Sequence, residues 1–469
     1  MSLLAVGGLL EGDYDYRIVD GNLEDNPVDA LDRAIQQTGA DVLGVTVMPG
    51  PQLSHAVPQC RELKRRHPEL TIVWGGYFPT QHYDACLNGD LVDYVVRGHG
   101  EHAFRRLLDG SPVAAIGGLA YRDERTGELK TNGMPPLPHP DRLPDFPYHR
   151  LDLARYIRST FLGRQTIPHH SSYGCPFQCN FCAVVNMVGG RWLAQSAERT
   201  ASVVHRLVDE WQVDAVEFYD NNFFVHEART AEFAERIQPD RIAWWGEARI
   251  DTLLKYSTRT WTLMRDSGLK MVFLGAESGS DETLRRMNKG GTASTAKTLE
   301  IADLTRRLGI IPEFSFVVGN PPDPEGDVRR TLEFIRQVKQ KNPAAEIILY
   351  MYTPVPLAGE LYDQARAAGF QFPATLDEWI SPEWLDFSQR RSAQVPWVED
   401  PLRREILNFE RVLNAYYPTT TDVRLRGARR LLLRAASAWR YHLRVYGLPI
   451  DLRVMQRLFA YQRPETSGF

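Results

Sequence analysis

Between about residues 165 and 370 a short β-branched or aromatic run alternates six times with a stretch patterned as an amphipathic helix. That alternation leaves few folds open. The runs are RQTIPHHSS (164–172), AVEFYDNN (215–222), IAWWGEARID (242–251), KMVFLGAESG (270–279), PEFSFVVGNP (312–321) and EIILYMYTPVP (346–356). Parallel strands need a crossover helix between them, and nearly all-apolar strands are those covered on both faces. Six such units predict a partial, open (β/α)6 barrel in preference to a closed eightfold one. Small and polar residues crowd the carboxyl ends of these runs, the face on which such barrels build active sites.

A second series precedes it. YRIVDG (16–21), DVLGVTVM (41–48), TIVWGGY (71–77) and DYVVRGHG (93–100) are separated by helical patterns such as NPVDALDRAIQQTG and PQLSHAVPQCRELKRRHP. This predicts a doubly wound, Rossmann-like parallel sheet, so the chain as a whole reads as α/β. Asp20-Gly21-Asn22, Pro49-Gly50, Gly75-Gly76 and Gly98-His99-Gly100 follow the strand ends. They are either ordinary tight turns or the carboxyl edge at which such sheets bind ligands. A doubly wound domain normally opens on a strand, whereas this chain opens on the helix-like SLLAVGGLLEG. An empty central strand position would expose unpaired ladder groups.

Residues 111–135 read as a small hairpin appendage, and PPLPHPDRLPDFPYHR (135–150) carries six prolines in 16 residues, the composition of a linker. The expected organisation is a Rossmann-like domain at 1–135, a proline-rich linker at 136–164, the barrel at 165–370 and a helical, arginine-rich region at 371–469. In that last region 421–469 holds 10 Arg against 3 acids. Leu432, Ala436, Trp439, Leu443 and Tyr446 recur at helical spacing and are expected to pack on the body. Arg430, Arg434 and Arg444 lie off that seam, on a face suited to solvent, to an anionic substrate or to a membrane surface.

Composition narrows the class. With 469 residues, 43% hydrophobic and 24% charged, the chain has the make-up of a folded multi-domain protein. A formal charge of −4 gives no whole-chain attraction to nucleic acid. No apolar run approaches the ~20 residues of a membrane span, and the N-terminus lacks the basic start of a signal peptide. These features predict a cytoplasmic protein.

The 5 cysteines sharpen this. An odd, sparse count argues against a disulfide framework, and Cys60 and Cys86 read as inert packing thiols. Cys175, Cys179 and Cys182 instead form a C-x3-C-x2-C array in SSYGCPFQCNFC. Clustered thiolates are soft ligands for iron–sulfur clusters or zinc. His169 and His170 stand close enough in sequence for a Cys3His zinc site to remain open. The tight single loop favours a [4Fe–4S] cluster with three cysteine ligands and one open iron.

CPFQCNFC resembles the signature of the radical S-adenosylmethionine (SAM) superfamily. EFYDNNF (217–223), WWGEARIDTL (244–253), FLGAESGSDETLRRMNKG (273–290), FSFVVGNPPDPEGD (314–327) and PVPLAGELYDQARAAG (354–369) resemble its later strand motifs in order. The resemblance implies that the open iron chelates the methionine moiety of SAM and that one electron splits the sulfonium to a 5′-deoxyadenosyl radical. It implies an adenine contact at Phe181, ribose or methionine contacts at Glu277 and Ser278, and further SAM contacts at Asp220, Asn221, Glu247, Arg249 and Val317. Arg249 could equally pair with Asp251, and several of the others could simply cap helices. The N-terminal block resembles the cobalamin-binding domain of the class B methyltransferase and cyclase group, implying contacts at Asp20, Thr46, Gly75, Gly76, Gly98 and Gly100. It departs from that pattern in lacking the cobalt-ligating D-x-H-x-x-G, since DGNLED has no histidine. The expected function is cobalamin-dependent C-methylation of a natural-product, lipid or tetrapyrrole-type intermediate. The alternatives are cobalamin-independent radical cyclisation, rearrangement or oxidation, and a non-catalytic iron–sulfur or corrinoid carrier. Expected partners are a small, anionic substrate and a flavodoxin- or ferredoxin-type electron donor, with no nucleic acid. Peripheral membrane contact would run through the arginine-rich C-terminus.

Overall fold

The computed structural model describes residues 1–289, 291–388, 394–422, 425, 427–459 and 461. Its first sheet runs in the order β1 (Val42–Thr46), β2 (Thr71–Gly75), β3 (Tyr94–Val96), β4 (Leu119–Arg122), β5 (Leu129–Thr131). The first three strands are parallel and the last two antiparallel. The 111–135 hairpin is therefore no appendage: β4 pairs with β3 and lengthens the sheet. The expected strand at 16–21 does not form. Those residues pair with no strand among the described residues, and β1 is left at the sheet edge with every residue at least part-exposed. The following helix, Pro27–Thr38, is amphipathic but buries no residue fully.

The second sheet holds all six expected strands: β6 (Thr166–His169), β9 (Ala215–Phe218), β10 (Ala243–Ala248), β11 (Leu269–Glu277), β12 (Ile311–Val318) and β13 (Glu346–Met351). They pair in chain order, β13-β12-β11-β10-β9-β6, all parallel. Between β6 and β9 lies an antiparallel ribbon of β7 (Ser172–Gly174) and β8 (Trp192–Ala194), so the run expected as one strand at 164–172 is divided.

Register sorts the strand residues by face. Glu247, Phe273, Glu313 and Glu346 form one row, and Ala248, Leu274, Phe314 and Ile347 the next. Successive side chains alternate, so the apolar row packs under the crossover helices while the glutamates turn into the barrel. Trp244 anchors the outer layer, fully buried among Phe218, Phe223, Phe224 and Phe233.

The proline-rich segment is not a free linker. It makes three short 3-10 turns, buries Tyr148 and Leu153, and is gripped by the barrel. Arg199 reaches the carbonyls of Pro140 and Leu143 at 2.6 and 2.7 Å, and Asp145 pairs with Arg199 and Arg206. Farther on, Phe372, Trp379, Trp384 and Phe387 pack with Phe370 in an aromatic cluster. This cluster also receives Phe78 and His82 from the helices behind β2.

The C-terminal helices Asp400–Tyr416, Ala428–Leu443 and Ile450–Leu458 pack together. Here the expected seam is one stripe off. Leu433, Ser437, Arg440 and Tyr441 face the body, while Leu432, Trp439 and Leu443 are exposed and Ala436 and Tyr446 half-buried. The packed stripe looks polar in sequence, but its polar groups are satisfied where they sit. Ser437 donates to the Leu433 carbonyl, and Arg440 holds Asp451 and the Gly447 carbonyl. Arg430, Arg434 and Arg444 are engaged by the Pro418 carbonyl, the Tyr416 ring and Glu333. Arg424, Arg426 and Arg463 lie outside the described residues. Leu433→Ala is expected to destabilise the protein by about 2–5 kcal/mol, and Leu432→Ala by less than about 0.5 kcal/mol. Thermal unfolding of the two variants checks the seam, and the reverse ranking would refute it.

Candidate radical and corrinoid site

The cysteine loop leaves β7 and returns through the helix Val184–Val188 to β8. Gly174, at φ +81°, makes the entry possible, because a Cβ there would collide with the Arg191 carbonyl. The loop is pinned from the far side of the barrel. Asn180 donates from its backbone to the Met287 carbonyl at 3.1 Å and from its side chain to the Arg286 carbonyl at 2.7 Å. Asn288 donates to the Gln178 carbonyl at 2.8 Å.

All five cysteines are free thiols. Burial pushes the Cys60 thiol up to about 11 and raises Cys86 well above its ordinary value, as packing thiols require. Cys175 and Cys182 are part-exposed and Cys179 is buried. Burial raises the Cys179 thiol, while Lys289 and Arg249 pull it back. Two donors aim at sulfur: Arg249 Nη1 at 3.4 Å from Cys179 Sγ, and Asn222 Nδ2 at 3.7 Å from Cys175 Sγ. Among the described residues no three His, Cys, Asp or Glu side chains converge on a point where one metal ion could sit. The histidines do not complete a zinc site: His169 meets Tyr148 Oη at 2.9 Å and packs on Phe146 and Phe218. Burial lowers His169 to about 3 and His170 to about 4. Three separated thiols on one loop, with hydrogen-bond donors behind them, fit a multi-iron cluster.

Arg249 is the hub. Its guanidinium is held by Asp251 through Nε and Nη2 at 3.0 and 2.8 Å, donates to the Lys289 carbonyl at 2.7 Å and lies 3.8 Å from the Phe177 ring centroid. Burial opposes ionisation of Asp251, but Arg249 holds its carboxyl below the ordinary value. Beside it, Lys289 pairs with Glu277 and donates to the Gly275 carbonyl at 2.6 Å. Glu277 follows a register shift in β11 and adopts φ +65°, a conformation uncommon for a non-glycine residue, which re-aims its side chain at the strand end.

The remaining expected SAM contacts are distributed as follows. Phe181 is half-buried against the core. Asp220 is fully buried and accepts from Ser171 N, Ser171 Oγ and Ser172 Oγ at 2.6–2.7 Å, tying β9 to the start of the ribbon. Asn221 is exposed. Glu247 lies in the barrel, where burial and then the Asp220 charge push its carboxyl up to about 8. Ser278 is buried against Asp327 and Thr331 and accepts from Ser280 N. Val317 is half-buried, its carbonyl bonded to Asn320. Sequence reasoning missed Asn222, Asn180 and Lys289. All three stood within quoted motifs; the partners of Asn222 and Asn180 are remote in the chain, whereas Lys289 meets Glu277 12 positions away in the same motif.

Thr46, Gly75, Gly76, Gly98 and Gly100 stand at or just after the carboxyl ends of the parallel strands of the first sheet, and Asp20 accepts from Tyr156 Oη at 2.9 Å. That edge meets the cysteine loop. Gln81 donates to the Ala183 carbonyl at 3.2 Å and accepts from Asn186 at 2.7 Å. Gly98, at φ +74°, lies against Met187, where a Cβ would come within 3.1 Å of the carbonyl. Glycine at these positions lets the strand ends and the cysteine loop approach one another closely, since a Cβ at Gly76 would come within 2.8 Å of Thr46 Oγ1. The carboxyl edge so formed is where doubly wound sheets bind their cofactors.

Family models agree with this geometry: a B12 binding domain matches residues 1–108, and the Radical SAM superfamily matches residues 170–335. The chain is 25% identical over 345 residues to an uncharacterized methyltransferase of Pyrococcus horikoshii, covering 72% of this chain and 73% of that protein. It is 27% identical over 371 residues to the hopanoid C-3 methylase of Methylococcus capsulatus, covering 77% and 68%. Among solved structures it shares its fold with the radical SAM methyltransferase TsrM of Kitasatospora setae, with TM-score 0.60, 18% identity and coverage of 75% and 73%. It also shares it with the cobalamin-dependent radical enzyme OxsB, with TM-score 0.66, 15% identity and coverage of 98% and 73%. The chain is a radical SAM enzyme. More narrowly, it belongs to the group that carries a cobalamin-binding domain ahead of the radical SAM barrel, with a [4Fe–4S] cluster, SAM and cobalamin as cofactors.

Two outcomes follow from the buried charges. Arg249→Met strands the Asp251 carboxylate and should lower stability by about 3–5 kcal/mol. Arg249→Met/Asp251→Leu should recover most of that in thermal unfolding, and an equally unstable double variant would refute the pairing. Glu247 titrates from 4.5 in the unfolded chain to about 8 in the fold. The folded protein thus binds more protons across that window, and stability falls as pH rises through it. Glu247→Gln should flatten the fall in cofactor-free protein, with its relative gain greatest above about pH 8. Parallel wild-type and variant melting curves from acid to alkaline pH would contradict this.

Proposed function

We propose that the protein transfers a methyl group to an unactivated carbon of a small-molecule acceptor, using SAM and cobalamin. The observation that carries this reading is the contact between two cofactor edges: the glycine-lined end of the first sheet abuts the cysteine loop through Gln81, Ala183, Asn186 and Met187. When bound, the cluster supplies the electron for reductive cleavage of SAM, and the corrinoid supplies a methyl carrier. Cys175, Cys179 and Cys182 would ligate three irons, with Arg249 and Asn222 donating to sulfur. Phe181, Glu247, Glu277 and Val317 would border SAM from the loop and the strand ends, and Asp220, Asn221 and Ser278 would shape that border. Arg249 would act here on the cluster side, because Asp251 already occupies its fork. Thr46, Gly75, Gly76, Gly98 and Gly100 would receive the corrinoid, with Asp20 and Tyr156 at its margin. Radical SAM enzymes draw on a small-molecule substrate and a reductant; we assign the reductant here to a flavodoxin or ferredoxin and the substrate to an anionic intermediate.

Anaerobic reconstitution should give about four irons per chain. With a strong reductant, hydroxocobalamin and acceptor, 5′-deoxyadenosine and S-adenosylhomocysteine should form together. Cys179→Ala should abolish both products without unfolding the protein. 5′-Deoxyadenosine without S-adenosylhomocysteine, in protein that retains no corrinoid, would reject methyl transfer in favour of cobalamin-independent radical chemistry.

A further inference from the structure

The C-terminal helices expose an apolar face that nothing in the site uses. Ten large hydrophobic side chains among the described residues are exposed, and nine of them lie between Leu431 and Leu458; the tenth is Leu129. On the Ala428–Leu443 helix Leu432, Trp439 and Leu443 form one stripe, at 57%, 48% and 70% exposure. On the Ile450–Leu458 helix Ile450, Val454 and Leu458 repeat at a spacing of four, at 59%, 53% and 74%. Val445 and Leu448 join the two. Single exposed hydrophobics are ordinary, but a contiguous run on two successive helices marks a docking surface.

Charge identifies what it docks to. Residues 428–458 contain seven arginines and one acid, and that acid, Asp451, is already paired with Arg440. Arg429, Arg453 and Arg457 are exposed, and no ion pair to them occurs among the described residues. A second copy of this face would set arginine against arginine with no free acid to receive it, which disfavours self-association. Apolar side chains flanked by uncompensated arginines, with a tryptophan between, are the make-up of a surface that lies in a bilayer interface. No helix among the described residues is long and apolar enough to cross a membrane, so the contact would be peripheral.

We propose that the Ala428–Leu458 face docks the enzyme on an anionic phospholipid surface. Leucine, isoleucine and valine side chains would enter the acyl boundary, Trp439 would sit at headgroup level, and Arg429, Arg453 and Arg457 would meet the lipid phosphates. The assignment does not depend on the methyl-transfer reading, and its test needs no cofactor.

Full-length protein is floated with vesicles of phosphatidylcholine alone and of phosphatidylcholine mixed with phosphatidylglycerol. Binding is expected to the mixed vesicles and to fall with added salt. Arg453→Gln/Arg457→Gln should weaken it by about twentyfold to thirtyfold, as two surface arginines contribute. Trp439→Ser/Leu443→Ser/Leu458→Ser should abolish it with little change in melting temperature, because Leu443 and Leu458 are largely exposed and half-exposed Trp439 is covered by the Arg440 guanidinium stacked on its ring. Failure to bind the mixed vesicles would overturn the proposal, as would wild-type binding by the triple variant. A dimer in solution that the triple variant dissolves would overturn it in favour of a protein interface.

Discussion

A guanidinium buried between a sulfur and a carboxylate sets the terms for this molecule. Three thiolates on one loop concentrate negative charge where water is partly excluded, and burial alone raises the Cys179 thiol. Metal binding requires the deprotonated form. The chain answers with Arg249, whose fork is fixed by Asp251 and whose remaining nitrogen faces Cys179. A lysine would not serve equally, because the planar fork can grip a carboxylate and still present a donor to sulfur. The ion pair of Lys289 and Glu277 repeats the device one strand over, and the Lys289 carbonyl closes the circuit onto Arg249. The same turn after β11 anchors the cysteine loop through the Arg286 and Met287 carbonyls. Charge compensation and loop placement are thus one structure.

That structure also carries the junction with the first sheet. The helix following the cysteines is the element Gln81 bonds to and the element Gly98 approaches. Displacing the loop would therefore move the edge of the other sheet. The proline-rich segment and the aromatic cluster around Trp379 hold the junction from its two flanks, one through Arg199 and Arg206, the other through Phe78 and His82. Neither flank contributes a chemical group; both limit how far the two sheets can shift.

The barrel was legible because parallel strands must be apolar and must alternate with helices, so each of its six strands announced itself locally. The strand at 16–21 looked equally convincing, but a strand exists only when its neighbour pairs with it, and β1 leaves that side unpaired. The C-terminal seam failed for another reason. Helical spacing reveals that a stripe exists, not which of two stripes is covered, and Ser437 and Arg440 disguised the packed one by satisfying their polar groups internally. At the site, the cysteine spacing and the Arg249–Asp251 neighbours are local in sequence and could be read. Asn222 and Asn180 act on groups 47 and 106 positions away, a distance no local pattern spans.

The glutamates inside the barrel complete the electrostatic account. Glu247, Glu313 and Glu346 share one register row, and burial raises each of them; at Glu313 the Glu346 and Glu247 charges push in the same direction. Glu346 is committed to Thr421, which donates from both its backbone and its hydroxyl. Below about pH 8, then, Glu247 is chiefly a neutral acid, able to donate a hydrogen bond as well as accept one, and Glu313 is shifted in the same direction. A positively charged group brought into the lumen lowers the penalty for ionising them and draws protons off. Burial and mutual repulsion thus both favour the protonated carboxyls of this row, and positive charge in the lumen acts against them. Fixed carboxylates would instead repel one another across the strands and weaken the barrel at the level where its ligands meet it.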